Sequence, residues 1–125
     1  MSALLGIIPT PAPMQSQSRV YDLKARLDWG EPALTIIDVR DRASFNESHI
    51  TGAVSIPASS LVSQVSASLE LDRDIYVYGD TDEETAAAAE TLREAGFNSV
   101  SELRGGLAAW KAVNYPTEVT AIPAS

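Results

Sequence analysis

Ile75-Tyr76-Val77-Tyr78-Gly79-Asp80-Thr81-Asp82-Glu83-Glu84-Thr85-Ala86-Ala87-Ala88-Ala89 is the stretch that decides the fold. Four consecutive β-prone residues read as a strand covered on both faces, Gly79 ends it, and the alanine run after Thr85 is strongly helix-forming. A strand, a tight turn and a helix in this order are half of a parallel α/β unit. Outward from it the same alternation repeats. Strands are expected at 34–39, 53–56 and 99–103, and helices at 20–29, 41–47, 59–68, 82–95 and 106–112. Such alternation predicts a mostly parallel sheet with helices on both faces. Ligands of these sheets bind beyond the carboxyl ends of the strands, so the turn after Tyr78 is the first place to seek a site.

A helix N-terminus at this turn offers free N–H groups and a positive dipole end, an anion cradle in principle. Four carboxylates occupy it: Asp80, Asp82, Glu83 and Glu84. Each would repel an anion within about 6 Å by roughly 1–3 kcal/mol at an effective dielectric near 20. The same residues have a structural reading, with Thr81 as N-cap and Glu84 three residues later completing a capping box. A cation site in the loop is a further reading, although no EF-hand spacing is present and no resident metal or cofactor is expected. Thr81 and Thr85 are the loop's hydroxyls, and no base is placed in sequence to activate either.

Composition narrows the chemistry. The 125-residue chain suits one domain, and its 17 acidic against 9 basic residues give a net charge of −8 that disfavours nucleic acid and anionic lipid surfaces. There is no cysteine, which excludes disulfides, thiolate nucleophiles, persulfides and Cys-ligated metals. No apolar run reaches the roughly 20 residues of a bilayer span. The expected organisation is a Pro-containing arm over 1–15, one domain over 16–117 and a tail over 118–125. The arm lacks the features of a secretory signal, and cytoplasm is the default location.

Two groups of motifs identify a resemblance. The first is Ile36-Ile37-Asp38-Val39-Arg40 followed by Phe45-Asn46-Glu47-Ser48-His49-Ile50-Thr51-Gly52-Ala53-Val54-Ser55-Ile56-Pro57. The second is Ile75 to Tyr78 with its loop, then Leu92-Arg93-Glu94-Ala95-Gly96-Phe97 and Leu103-Arg104-Gly105-Gly106-Leu107-Ala108-Ala109-Trp110. In this order and spacing, over about 19–117, the chain resembles the rhodanese family of sulfurtransferase domains. The resemblance implies a three-layer α/β fold with a five-stranded, mainly parallel sheet, one short edge strand lying near 16–20. It places the family's nucleophilic cysteine at Gly79, and the donor that often closes the active loop at Glu84. It also makes Asp38, Arg40, Glu47, His49 and Gly52 a structural signature, with Arg40 and Glu47 fixing the loop that presents His49. Gly105-Gly106 is a tight turn leading to a short helix whose Trp110 enters the core.

His49 is the only histidine, and by the resemblance it belongs to a structural turn, not to a triad. Three functions follow as expectations. The leading one is a non-catalytic binding or regulatory module that uses the former active-site mouth, Gly79 to Thr85, for a protein partner, a basic one being favoured by charge. The alternatives are sulfurtransferase activity by family likeness and cation sensing by the acidic loop. Oligomeric state is open.

Overall fold

The computed structural model describes residues 14–30 and 33–120. Strands are β1 (Gln17–Ser18), β2 (Leu34–Asp38), β3 (His49–Ile50), β4 (Val54–Ser55), β5 (Asp74–Tyr78), β6 (Val100–Leu103) and β7 (Thr117–Glu118). Helices are α1 (Val20–Asp28), α2 (Arg42–Glu47), α3 (Leu61–Ser68), α4 (Asp82–Glu94) and α5 (Gly106–Ala112). Five strands form one sheet in the order β1-β6-β5-β2-β4, and every neighbouring pair is parallel.

The continuous apolar runs explain the layering, because side chains alternate across a strand and both faces are covered. Ile36, Tyr76, Tyr78 and Leu103 face one way and pack with Leu23 of α1 and Trp110 of α5. Ile37, Val77 and Val100 face the other way and pack with Leu61 and Val65 of α3 and with Ala88, Ala89 and Leu92 of α4. From β2 the chain moves to the β4 edge, crosses back to β5, and then builds outward to β6. The connections after β2 and β5 therefore diverge, and their separation opens a mouth at the carboxyl ends of the two central strands.

Several boundaries differ from those read in the sequence. β2 ends at Asp38, β5 begins at Asp74 and β6 at Val100, while the 53–56 strand is reduced to Val54–Ser55 because it is an edge with a partner on one side only. The helix expected at 59–68 begins as a 3₁₀ turn, Ala58–Ser60, before α3. Pro57 sets that entry. An unforeseen two-stranded antiparallel pair joins β3 to β7, with His49 opposite Glu118 and Ile50 opposite Thr117.

The same clasp continues past residue 117. Pro116 O accepts from Trp110 Nε1 at 2.7 Å and from Thr51 N at 3.3 Å, and Asn46 O accepts from Thr120 N at 3.0 Å. At the other end Met14 packs against the cluster around Trp110. The rest of the expected arm up to Pro13, and 121–125 of the expected tail, lie outside the described residues.

Candidate functional site

Gly79 follows β5 at the base of the mouth and is buried. Its N–H donates to Thr85 Oγ1 at 2.8 Å, and that hydroxyl in turn donates to Thr81 O at 2.9 Å. The next N–H, of Asp80, donates to Glu84 Oε2 at 3.1 Å. Thr81 caps α4, its Oγ1 accepting from Glu84 N at 3.1 Å. The loop is thus closed on itself, and two backbone donors at its start are occupied by side chains of α4.

The expected capping box is realised in one direction only. Thr81 bonds to the Glu84 N–H, whereas the Glu84 carboxylate reaches past Thr81 to the N–H of Asp80. The carboxylates do not act as one cluster. Asp82 is engaged elsewhere, accepting from Gly105 N at 2.9 Å, with Arg104 at 3.3 Å. Glu83 and Asp80 are exposed. Among the described residues no group of three or more His, Asp or Glu side chains could hold a metal ion.

Space at Gly79 is restricted. A Cβ on Gly79 would meet Glu84 Cβ and Val39 Cγ2 at 3.3 Å each, with Glu84 Oε2 at 3.6 Å. Gly106, at φ +51°, presses against the same loop, since a Cβ there would meet Gly79 O at 3.3 Å. Gly105, at φ +77°, would bring a Cβ to 2.6 Å from Ala109 Cβ. Both positions need glycine, as left-handed backbone and close approach require.

Below the mouth, Asp38 is fully buried and takes Arg40 in a fork: Nε at 3.0 and 3.1 Å and Nη2 at 2.7 Å. Arg40 Nη2 also donates to Ser48 O at 2.6 Å, which fixes the segment leading into β3. Burial opposes the guanidinium charge, but the bond to Asp38 and its field outweigh burial and raise the Arg40 pKa. Tyr78 Oη accepts from Ile50 N at 3.1 Å. Its phenol pKa is pushed well above the ordinary range, first by burial and then by the Asp38 carboxylate beside it.

Glu47 does not join this network; it is exposed and has no ion pair among the described residues. Its expected part in holding the His49 loop is taken by the Arg40 to Ser48 bond. His49 is buried, its Nδ1 lies 2.8 Å from Phe45 O, and its ring stacks on Phe45 with centroids 3.7 Å apart. The carbonyl must accept, so Nδ1 carries a proton and serves the fold. Gly52, at φ +90°, makes the turn after β3, and its N–H donates to Glu118 Oε1 at 2.8 Å. Trp110 is buried, 1% exposed.

The mouth itself divides around Arg40 and Asp80. On the α4 side lies a hollow of about 320 Å³ lined by Val39, Asp41, Ala58, Leu61, Glu84, Ala87, Ala88 and Thr91. On the α5 side a hollow of about 260 Å³ is lined by Gly79, Gly105, Leu107, Ala108 and Lys111. A larger hollow, about 550 Å³, sits at the opposite ends of the strands beside Ser68 and Asp72, remote from the loop. Asp41, which the sequence reading passed over, caps α2 by accepting from Ser44 N at 2.7 Å; that bond lowers its pKa. The signal for it was its place directly after the Asp38-Val39-Arg40 signature, at the carboxyl end of a strand next to β5.

Comparison with known proteins gives the family. The rhodanese-like domain model matches residues 19–113. The crystal structure of the Alr3790 protein from Anabaena sp. is 57% identical, with a TM-score of 0.82, covering 84% of this chain and 94% of that one. A thiosulfate sulfurtransferase from Pseudomonas aeruginosa superposes with a TM-score of 0.78 at 27% identity, covering 86% of this chain and 20% of its own. Among curated relatives, the probable adenylyltransferase/sulfurtransferase MoeZ of Mycobacterium tuberculosis is 32% identical over 108 residues, 84% of this chain. The chain spans only 28% of MoeZ's length. With the matched region and the parallel five-stranded sheet in agreement, this chain belongs to the rhodanese-like domain family, and it has no cysteine anywhere in its sequence.

Proposed function

We propose that the chain is a non-catalytic rhodanese-like module whose former active-site mouth is a docking surface for a protein partner. One observation carries this reading: at Gly79, where the family resemblance puts the nucleophile, there is no side chain, and the loop N–H groups of Gly79 and Asp80 are held by Thr85 and Glu84. Covalent sulfur transfer needs a sulfur atom on the protein. The chain has none to offer at this position, and the relatives' names, sulfurtransferases included, describe those proteins.

The mouth retains hollows on both sides of the closed loop, so recognition can outlast chemistry there. The chain's net charge of −8 favours a basic partner over nucleic acid. The test places a photo-crosslinking residue at Thr91 or Ala108 of the mouth and, as control, at Ser68 at the other end of the sheet. Discrete adducts from the mouth positions alone, on a chain without sulfurtransferase turnover, support the module. Turnover favours the sulfurtransferase instead, and equal labelling from all three positions removes the mouth as the docking surface.

A further inference from the structure

The hollow between the Ala58–Ser60 turn, the start of α3 and the outer face of α4 combines two properties that rarely serve the same small molecule. Val39, Leu61 and Ala88 are buried beneath it as an aliphatic floor, Ala58 and Ala87 line it as exposed aliphatic walls, and the exposed Asp41, Asp80 and Glu84 form its rim. Arg40 stands at the same edge, but Asp38 and Ser48 O already engage its guanidinium. Among the described residues none of the three rim carboxylates is in an ion pair. Asp41 uses Oδ1 on Ser44 N and Glu84 uses Oε2 on Asp80 N, which leaves each with a second oxygen for a ligand.

Resting on the docking role proposed above, we infer that this groove receives a lysine or arginine side chain from the partner protein, stem on the aliphatic floor and cationic head among Asp41, Asp80 and Glu84. The occupant follows from chemistry. A long cationic side chain buries its methylenes on apolar surface and keeps its head in water. A bare metal ion gains nothing from the floor, a neutral aliphatic chain gains nothing from the rim, and an anion is repelled. The volume of about 320 Å³ is at the small end of ligand pockets, which run from about 300 to 1,000 Å³. That suits one side chain better than a folded element.

The experiment is a titration of the ¹⁵N-labelled chain, followed by amide shifts, with the acetyl-methylamide derivatives of lysine, arginine and norleucine. The two cationic probes are expected to shift Asp41, Ala58, Leu61, Asp80, Glu84, Ala87 and Ala88, with apparent affinity about fivefold above norleucine. That preference should shrink between about 0.02 M and about 0.3 M salt. Glu84→Gln keeps an acceptor for Asp80 N and, combined with Asp80→Asn, should erase it. Ala87→Leu, at an exposed helix position, should fill the groove and remove the shifts from all three probes while the remaining spectrum reports an intact fold. Equal response to norleucine overturns the cationic occupant and leaves docking at the mouth standing. Shifts confined to other surfaces overturn the groove, and the crosslinks from Ala108 then decide separately whether the mouth binds a partner at all.

Discussion

At Gly79, where the resemblance places the family's nucleophile, there is no side chain and the Glu84 carboxylate lies close by, and the two have different consequences. Gly79→Cys restores sulfur, but the new Cβ arrives 3.3 Å from Glu84 Cβ and Val39 Cγ2, with Glu84 Oε2 close by. A carboxylate at that range disfavours thiolate. The variant should fold, show a thiol pKa above the ordinary value of about 8.5 by ultraviolet thiolate absorbance, and transfer little sulfur. Robust thiosulfate:cyanide turnover from the single variant would mean that the loop's electrostatics matter less than the missing atom. Asp38 gives a contrasting case, where a charged residue serves the fold. Asp38→Ala leaves the Arg40 guanidinium, whose side chain is 9% exposed, without its buried partner. A loss of about 3–5 kcal/mol is expected in urea unfolding.

Between elements, Tyr78 is the link whose protonation matters, since its hydroxyl joins β5 to β3 through Ile50 N. Its folded pKa is raised above the unfolded value of about 10 by burial and by Asp38. Below that pH both states hold the proton and the contribution is intact. Above it the unfolded chain ionises while the folded one resists, so stability falls as pH climbs past about 10. Urea midpoints at about pH 9 and about pH 11 should separate more in the wild type than in Tyr78→Phe. Equal separation would show that the phenol is not the group responsible. The start of α4 depends on Thr81, and Thr81→Ala should cost about 1 kcal/mol of stability by the same method.

How legible these elements were depended on what each residue answers to. β2 and β5 stood out because both faces are buried and their runs are continuously apolar. The β3–β7 pair was invisible, since two residues on each side carry no periodicity and their partners meet through a return of the chain some seventy residues away. Thr81 as N-cap was readable because capping is local. The bond from Asp82 to Gly105 was not, because it exists only through the adjacency of β5 and β6. The capping box expected of Glu84 is not completed by its side chain, which accepts from Asp80 N, one residue before the N-cap.

At the scale of the whole molecule, five parallel strands place all their carboxyl ends at one side, and the reversal of direction between β2 and β5 opens the mouth there. The sequence supplied this architecture through its alternation of strands and helices and through the joined motifs from Ile36 to Trp110. What it could not supply was the closure of the mouth's loop, which depends on Thr85 and Glu84 turning back onto Gly79 and Asp80. The fold therefore keeps the five-stranded parallel sheet of the family, and the loop after β5 closes on itself through Thr85 and Glu84.

The most direct measurement of this account is a thiosulfate:cyanide sulfurtransferase assay of the purified wild-type chain, with an active rhodanese as positive control. The account predicts no turnover above the blank at any protein concentration. Turnover that scales with wild-type protein and persists through repurification would contradict it, because a chain without cysteine would then be transferring sulfur by chemistry the site does not contain.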